Sequence, residues 1–252
     1  MKKTSIKDVT VITDISTGFI KALVCVENCD SNDLECELGI SVYHASGGEP
    51  VIEPFSMDIR SREESTETFE LLTAIYFPKL WTPAEPFLYR VEIDLKADNL
   101  GISEISDRME IRTAFREFTR DEEGIFQLNG RKYLVNPMKG ISRSGDDLTR
   151  DRLVSAKEEG FNMILCESSG VSVELLEMCD DIGMLARIDC GWAFDDMITN
   201  LRNHPSIVAW NLSMEKCGDE VIHAMRKLDV ARLVILNENT FSNPYMNRWQ
   251  NV

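Results

Sequence analysis

The sequence is poor in positive charge: 27 Lys and Arg stand against 43 Asp and Glu, a formal net charge of -16. Nucleic-acid binding needs clustered cations to neutralise phosphates, and anionic membrane surfaces recruit the same residues. Neither partner is expected, and the acidic balance reads as a solubility feature. No stretch approaches the roughly 20 apolar residues of a membrane-spanning helix. The first 16 residues, MKKTSIKDVTVITDIS, hold three lysines but no continuous apolar region, so no secretory signal is expected. No Ser-His-Asp set, phosphate loop or dinucleotide fingerprint stands out, and no cofactor is expected.

Paired cysteine spacing is also missing. The seven cysteines, Cys25, Cys29, Cys36, Cys166, Cys179, Cys190 and Cys217, are odd in number and scattered, several within apolar runs. Free buried thiols in a reducing, cytoplasmic compartment are expected rather than disulfides. Cys25, Cys29 and Cys36 have only His44 nearby and lack the paired spacing of a zinc site, so no metal is expected.

What is present is an ordinary globular composition, 43% hydrophobic over 252 residues, enough for one large domain or two smaller ones. Two grammars divide the chain. From Val9 to about Glu117, short runs alternate with period two, as in Glu35–Tyr43 and Tyr89–Leu95, with the turn signal Gly47-Gly48-Glu49-Pro50 between runs. Short strands at this spacing fit an immunoglobulin-like β-sandwich.

After Gly130, apolar runs alternate with helical patterns. Lys132–Val135, Asn162–Cys166, Met184–Asp189, Ile207–Leu212 and Leu233–Leu236 are strand candidates. Between them lie helix candidates: Leu148–Glu159, opened by Asp146 or Asp147, then Val173–Ile182, capped near Ser172 and stopped by Gly183, then Asp195–Arg202 and Glu220–Leu228. Such alternation means parallel βα units. A closed eight-stranded barrel needs roughly 250 residues, against about 120 here. The second half is therefore an open parallel sheet or part of a barrel.

Several phrases resemble a known family. Leu80–Tyr89, LWTPAEPFLY, resembles the "LW.P..P.LY" of family 2 glycoside hydrolases, which include β-galactosidases, β-glucuronidases and β-mannosidases. Ala114-Phe115-Arg116 resembles "GFR", and Phe126–Lys132 resembles "F.LNGK". Lys157–Ile164 resembles "KE.GFNAIR", Leu176–Leu185 resembles "LCDELGMLV", and Asn203–Glu215, NHPSIVAWNLSME, resembles "NHPSI..WSLGNE". The phrases run in family order along most of the chain.

The resemblance implies a β-sandwich over residues 1–118 followed by a partial (β/α)8 TIM barrel over 119–252. It also implies descent from enzymes that hydrolyse β-glycosidic bonds with retention. That reaction uses two carboxyl groups about 5–5.5 Å apart, one as acid/base and one as nucleophile. The resemblance assigns the acid/base to Glu215, just past Ile207–Leu212, where C-terminal strand ends face a barrel's active site. Glu167, Asp189 and Trp192 end earlier strands and are substrate-binding candidates, Trp192 by stacking on a sugar face. Met214 stands where the family has the Asn that hydrogen-bonds the sugar 2-hydroxyl, which a thioether cannot do. Cys166–Gly170 replaces "R.SHYP", and the usual "RH" pair has no match in Asn136–Ser142. His204 is expected to be structural and His223 to lie on the surface.

Relative to the family, the jelly-roll domain before the sandwich and the strand carrying the nucleophile are unmatched, so the chain is expected to be truncated and weak or inactive alone. The expected ligand is a β-glycoside. The alternatives are a non-catalytic carbohydrate-binding or interaction module and a purely structural unit. Unpaired strand edges point to a homo-oligomer or a partner covering the open barrel.

Overall fold

The structure, a computed structural model, describes residues 4–99, 102–139, 148–191, 194–212 and 219–236. The chain divides into two compact units. One comprises residues 1–79 and 88–115, the other residues 80–87 and 116–252.

The first unit contains two antiparallel sheets. Strands β1 (Thr4–Thr13), β2 (Phe19–Asn28), β3 (Leu34–His44), β4 (Phe55–Ser61), β5 (Ser65–Ala74), β6 (Tyr89–Asn99) and β7 (Ile102–Thr113) pair in the orders β1-β2-β5 and β4-β3-β6-β7. Period-two alternation places Ile20, Ala22, Val24 and Val26 on the buried face of β2, and Leu38, Ile40 and Val42 on that of β3. The edge strand β4 was not anticipated; only Ile59 and Ser61 of its residues are buried. Ion pairs join Arg108 of β7 to Asp94 of β6 across the strands, and Arg90 to Glu92 within β6. Asp94 holds the Arg108 guanidinium well above its ordinary range.

The second unit opens with short antiparallel strands β8 (Phe118–Arg120), β9 (Phe126–Leu128) and β10 (Arg131–Lys132). The reading of Lys132–Val135 as the first parallel strand is corrected here. Asn129 (φ 51) and Gly130 (φ 73) form a left-handed two-residue turn that folds Lys132 back onto Gln127. The first parallel strand begins five residues later, as β11 (Pro137–Lys139).

Strands β11, β12 (Met163–Glu167), β13 (Leu185–Cys190), β14 (Ile207–Leu212) and β15 (Leu233–Leu236) then form one parallel sheet in sequential order. Helices α1 (Arg150–Glu158), α2 (Val173–Ile182), α3 (Asp195–Leu201) and α4 (Asp219–Leu228) fall between successive strands from β11 onward. A single buried cluster joins Leu153, Leu176, Cys179, Ile198 and Met225 of the helices to Ile164, Ile188 and Trp210 of the strands. All four helices therefore cover the same sheet face, as right-handed crossovers in unreversed order require.

Local signals explain the helix limits. Ser172 Oγ accepts from the Leu175 amide, and Gly183, at φ 74, closes α2. A Cβ on Gly183 would lie 2.5 Å from the Pro83 carbonyl oxygen. The cap of α1 is Thr149, whose hydroxyl accepts from Arg152 N; the expected caps Asp146 and Asp147 lie outside the described residues. Lys157 Nζ donates to the carbonyls of Pro83 and Ile182, and burial draws its pKa down.

Candidate active site

A parallel strand alternates its side chains between two faces. Ile164, Cys166, Ala186, Ile188, Trp210 and Leu212 take the helix face. Their neighbours Leu165, Glu167, Arg187, Asp189 and Asn211 consequently point to the other. Strand register sets Glu167 beside Asp189 and Asp189 beside Asn211, all at C-terminal strand ends. Arg187 lies two residues earlier, level with Leu165 and Ala209.

These groups are linked. Arg187 Nη2 is 2.9 Å from Asp189 Oδ1 and 3.1 Å from Oδ2. Asn211 Nδ2 donates to Asp189 Oδ1 at 2.8 Å. The Arg187 side chain is 2% exposed and that of Asp189 25%, so the cation sits under the carboxylate and the carboxylate reaches solvent. Glu167 is exposed, adjacent in register. Chemically the cluster offers fixed acceptors for hydroxyl groups.

Glu167 and Asp189 are register neighbours, while Trp192, Met214 and Glu215 lie outside the described residues. Sequence reasoning missed Arg187 and Asn211. Arg187 interrupts an otherwise apolar strand, and a lone cation there needs a partner; that was the available signal.

The opposite end of β14 holds a second polar network. His204 Nδ1 is 2.7 Å from Asp180 Oδ2, and Ser206 N donates to Asp180 Oδ1 at 2.8 Å. Trp81 Nε1 donates to the Asp180 carbonyl at 2.9 Å. Arg116 Nη2 and Arg232 Nε donate to the Ile207 carbonyl, and Arg232 Nη2 to that of His204. Burial, and then the neighbouring Arg232 charge, pull the Arg116 pKa down to about 9. Trp210 Nε1 donates to Asp229 Oδ2 at 2.8 Å. The NHPSI phrase and Arg116 therefore build the N-terminal end of β14, away from the strand-end cluster. His204 is structural here, and His223 is exposed.

The described cysteines are free. Burial raises the thiols of Cys166 and Cys190 to about 12 and that of Cys179 well above its ordinary value. No group of His, Cys, Asp and Glu able to hold a metal ion occurs among the described residues, and no described helix is long and apolar enough to cross a membrane.

Paired antiparallel sheets followed by a parallel βα sheet agree with the order of elements that the sequence phrases suggested. Residues 4–116 match the family described as Glycosyl hydrolases family 2. A β-galactosidase of Alteromonas mediterranea is 25% identical over 255 aligned residues, covering 86% of this chain and 24% of its own length. The solved GH2 β-galacturonidase of Eisenbergiella tayi bound to galacturonate superposes with a TM-score of 0.77 at 20% identity, over 93% of this chain and 46% of that one. A family 2 glycosyl hydrolase of Bacteroides cellulosilyticus gives 0.78 at 18% identity, over 93% and 36%. This chain spans about a quarter of the β-galactosidase and less than half of either solved chain.

Proposed function

We propose that the chain forms the immunoglobulin-like sandwich and the first five strands of a (β/α)8 barrel of a retaining β-glycosidase. The strand-end cluster Glu167–Asp189–Asn211 is then part of its sugar site. The observation that carries this reading is the sequential parallel order with all helices on one face. A doubly wound sheet reverses its strand order and uses both faces, whereas a barrel keeps order and side and presents its site at C-terminal strand ends.

In this reading Glu215, three residues past the end of β14, protonates the leaving glycosidic oxygen and later activates water. Asp189 and Glu167 accept hydrogen bonds from sugar hydroxyls, and Trp192 offers an apolar face to the ring. Met214 adjoins the acid/base without contributing a hydrogen bond. With no nucleophile assigned, the chain alone hydrolyses weakly or not at all. A second reading, a carbohydrate-binding module that has lost catalysis, is favoured by that same Met214 and by the tethering of Asp189 to Arg187.

The test is hydrolysis of chromogenic β-galactoside, β-glucuronide and β-mannoside by the full chain and by Glu215→Gln. Turnover abolished by the substitution supports the enzyme. Sugar binding without turnover supports the module. Neither would sink both readings.

A further inference from the structure

We infer that the strand-end cluster selects an uncharged pyranoside over a uronide, because Asp189 has already taken the one cation described in that cluster. The inference rests on the proposed sugar site and deepens it by naming the substrate class. The related proteins do not decide the matter, since one is named a β-galactosidase and another a galacturonate-bound β-galacturonidase.

Holding a sugar carboxylate requires a cation with donors free to face it. Arg187 is 2% exposed, and its Nη2 contacts both oxygens of Asp189. Asn211, 1% exposed, commits its Nδ2 to Asp189 Oδ1. The groups turned to solvent are therefore the Asp189 carboxylate and, beside it in register, the exposed Glu167, which has no ion-pair partner among the described residues. An incoming uronate would meet two carboxylates and a cation shielded beneath one of them. Sugar hydroxyls, by contrast, donate to both.

The sequence adds an independent point. The phrase "KE.GFNAIR" that Lys157–Ile164 resembles continues with Arg, where this chain has Leu165. The cross-strand register partner of Leu165 is Arg187. The guanidinium thus occupies the same level of the sheet but comes from the next strand, directly below Asp189 on its own strand. From there it pairs with Asp189. Arg187 is accordingly a positioning residue, acting through the carboxylate it holds.

The experiment is titration calorimetry of the full chain with methyl β-D-galactopyranoside and methyl β-D-glucuronide. The galactoside should bind about tenfold tighter or more. Asp189→Asn leaves Arg187 without its counter-charge and should invert the preference, with uronide binding that weakens as salt rises. Glu167→Gln, at an exposed position, should narrow the ratio without loss of fold and carries the test should Asp189→Asn fail to fold. Equal or tighter uronide binding by the unsubstituted chain overturns the inference while leaving the sugar site standing. So does a ratio unmoved by folded variants at both positions. Binding of neither glycoside overturns the sugar-site reading itself, and this inference with it.

Discussion

His204 Nδ1 lies 2.7 Å from Oδ2 of Asp180, a fully buried carboxylate from the last turn of α2. The pair joins two segments singled out by their family resemblance, and its Asp180 also accepts from the Ser206 amide and, through its carbonyl, from Trp81. Asp180→Ala leaves an imidazole and a buried amide without partners. Removing one member of a buried pair costs about 3 kcal/mol, so urea unfolding of the second unit should shift by about that amount. Glycoside affinity of the folded fraction should stay unchanged, because the network lies at the far end of β14 from the sugar cluster. A loss of affinity with unaltered stability would contradict this placement.

Glycine substitutions separate steric from conformational cost. Gly130 (φ 73) has open space where a Cβ would be, so Gly130→Ala pays only for the left-handed backbone, about 1 kcal/mol. A Cβ added at Gly183 (φ 74) would collide with the Pro83 carbonyl oxygen, and one at Gly18 (φ 75) with that of Ile75. Alanine at either should cost about 3 kcal/mol or more, since backbone must move as well. Thermal melts of the three variants check the ranking, and equal losses at all three would refute it.

The contrast between these features and the sugar cluster explains what was legible in the sequence. Ser172 and Gly183 delimit α2 through interactions within a few residues, so a local reading finds both ends. The alternation of Glu35–Tyr43 likewise reports one half-buried strand, β3. Lys132 was misread because its apolar neighbours Leu134 and Val135 outweighed the Asn129-Gly130 turn, which reverses the chain and leaves Leu134 exposed. Arg187 was invisible as a site residue for a different reason. Its meaning comes from Asp189 on its own strand and Asn211 on the next, and strand register is a tertiary fact. Trp81 sits in the turn Leu80–Phe87, whose packing within the second unit cannot be read from its own spacing.

Thiol reactivity should follow burial. Cys166, Cys179 and Cys190 have pKa values raised by desolvation, those of Cys166 and Cys190 to about 12. Because thiolate is the nucleophile, at pH 8 they remain protonated as well as inaccessible. Cys29 is exposed, but its hydrogen bond to Glu27 raises its pKa too. Among these four, iodoacetamide should modify Cys29 first, more slowly than a free thiol, with a rate that climbs as pH rises toward its pKa. Peptide mass spectrometry would read this out. Labelling of Cys179 before unfolding would contradict its burial.

The last prediction concerns the edge of the parallel sheet. Among the described residues, β15 has a strand neighbour on one side only. Its sequence, Leu-Val-Ile-Leu, is apolar and β-branched, without the Lys or Pro that commonly blunt an edge. Val234 packs on the helix core, and Ile235, next in line, takes the opposite face. An apolar edge of this kind recruits a strand from another chain unless something covers it, so the full chain should self-associate as its concentration rises. Ile235→Lys places a charge beside the unpaired backbone and disfavours pairing there. Sedimentation velocity should show the oligomer of the unsubstituted chain dissociating at least several-fold more readily in this variant, with both remaining folded by circular dichroism. A chain that stays monomeric at every concentration would overturn the expectation of self-association through this edge.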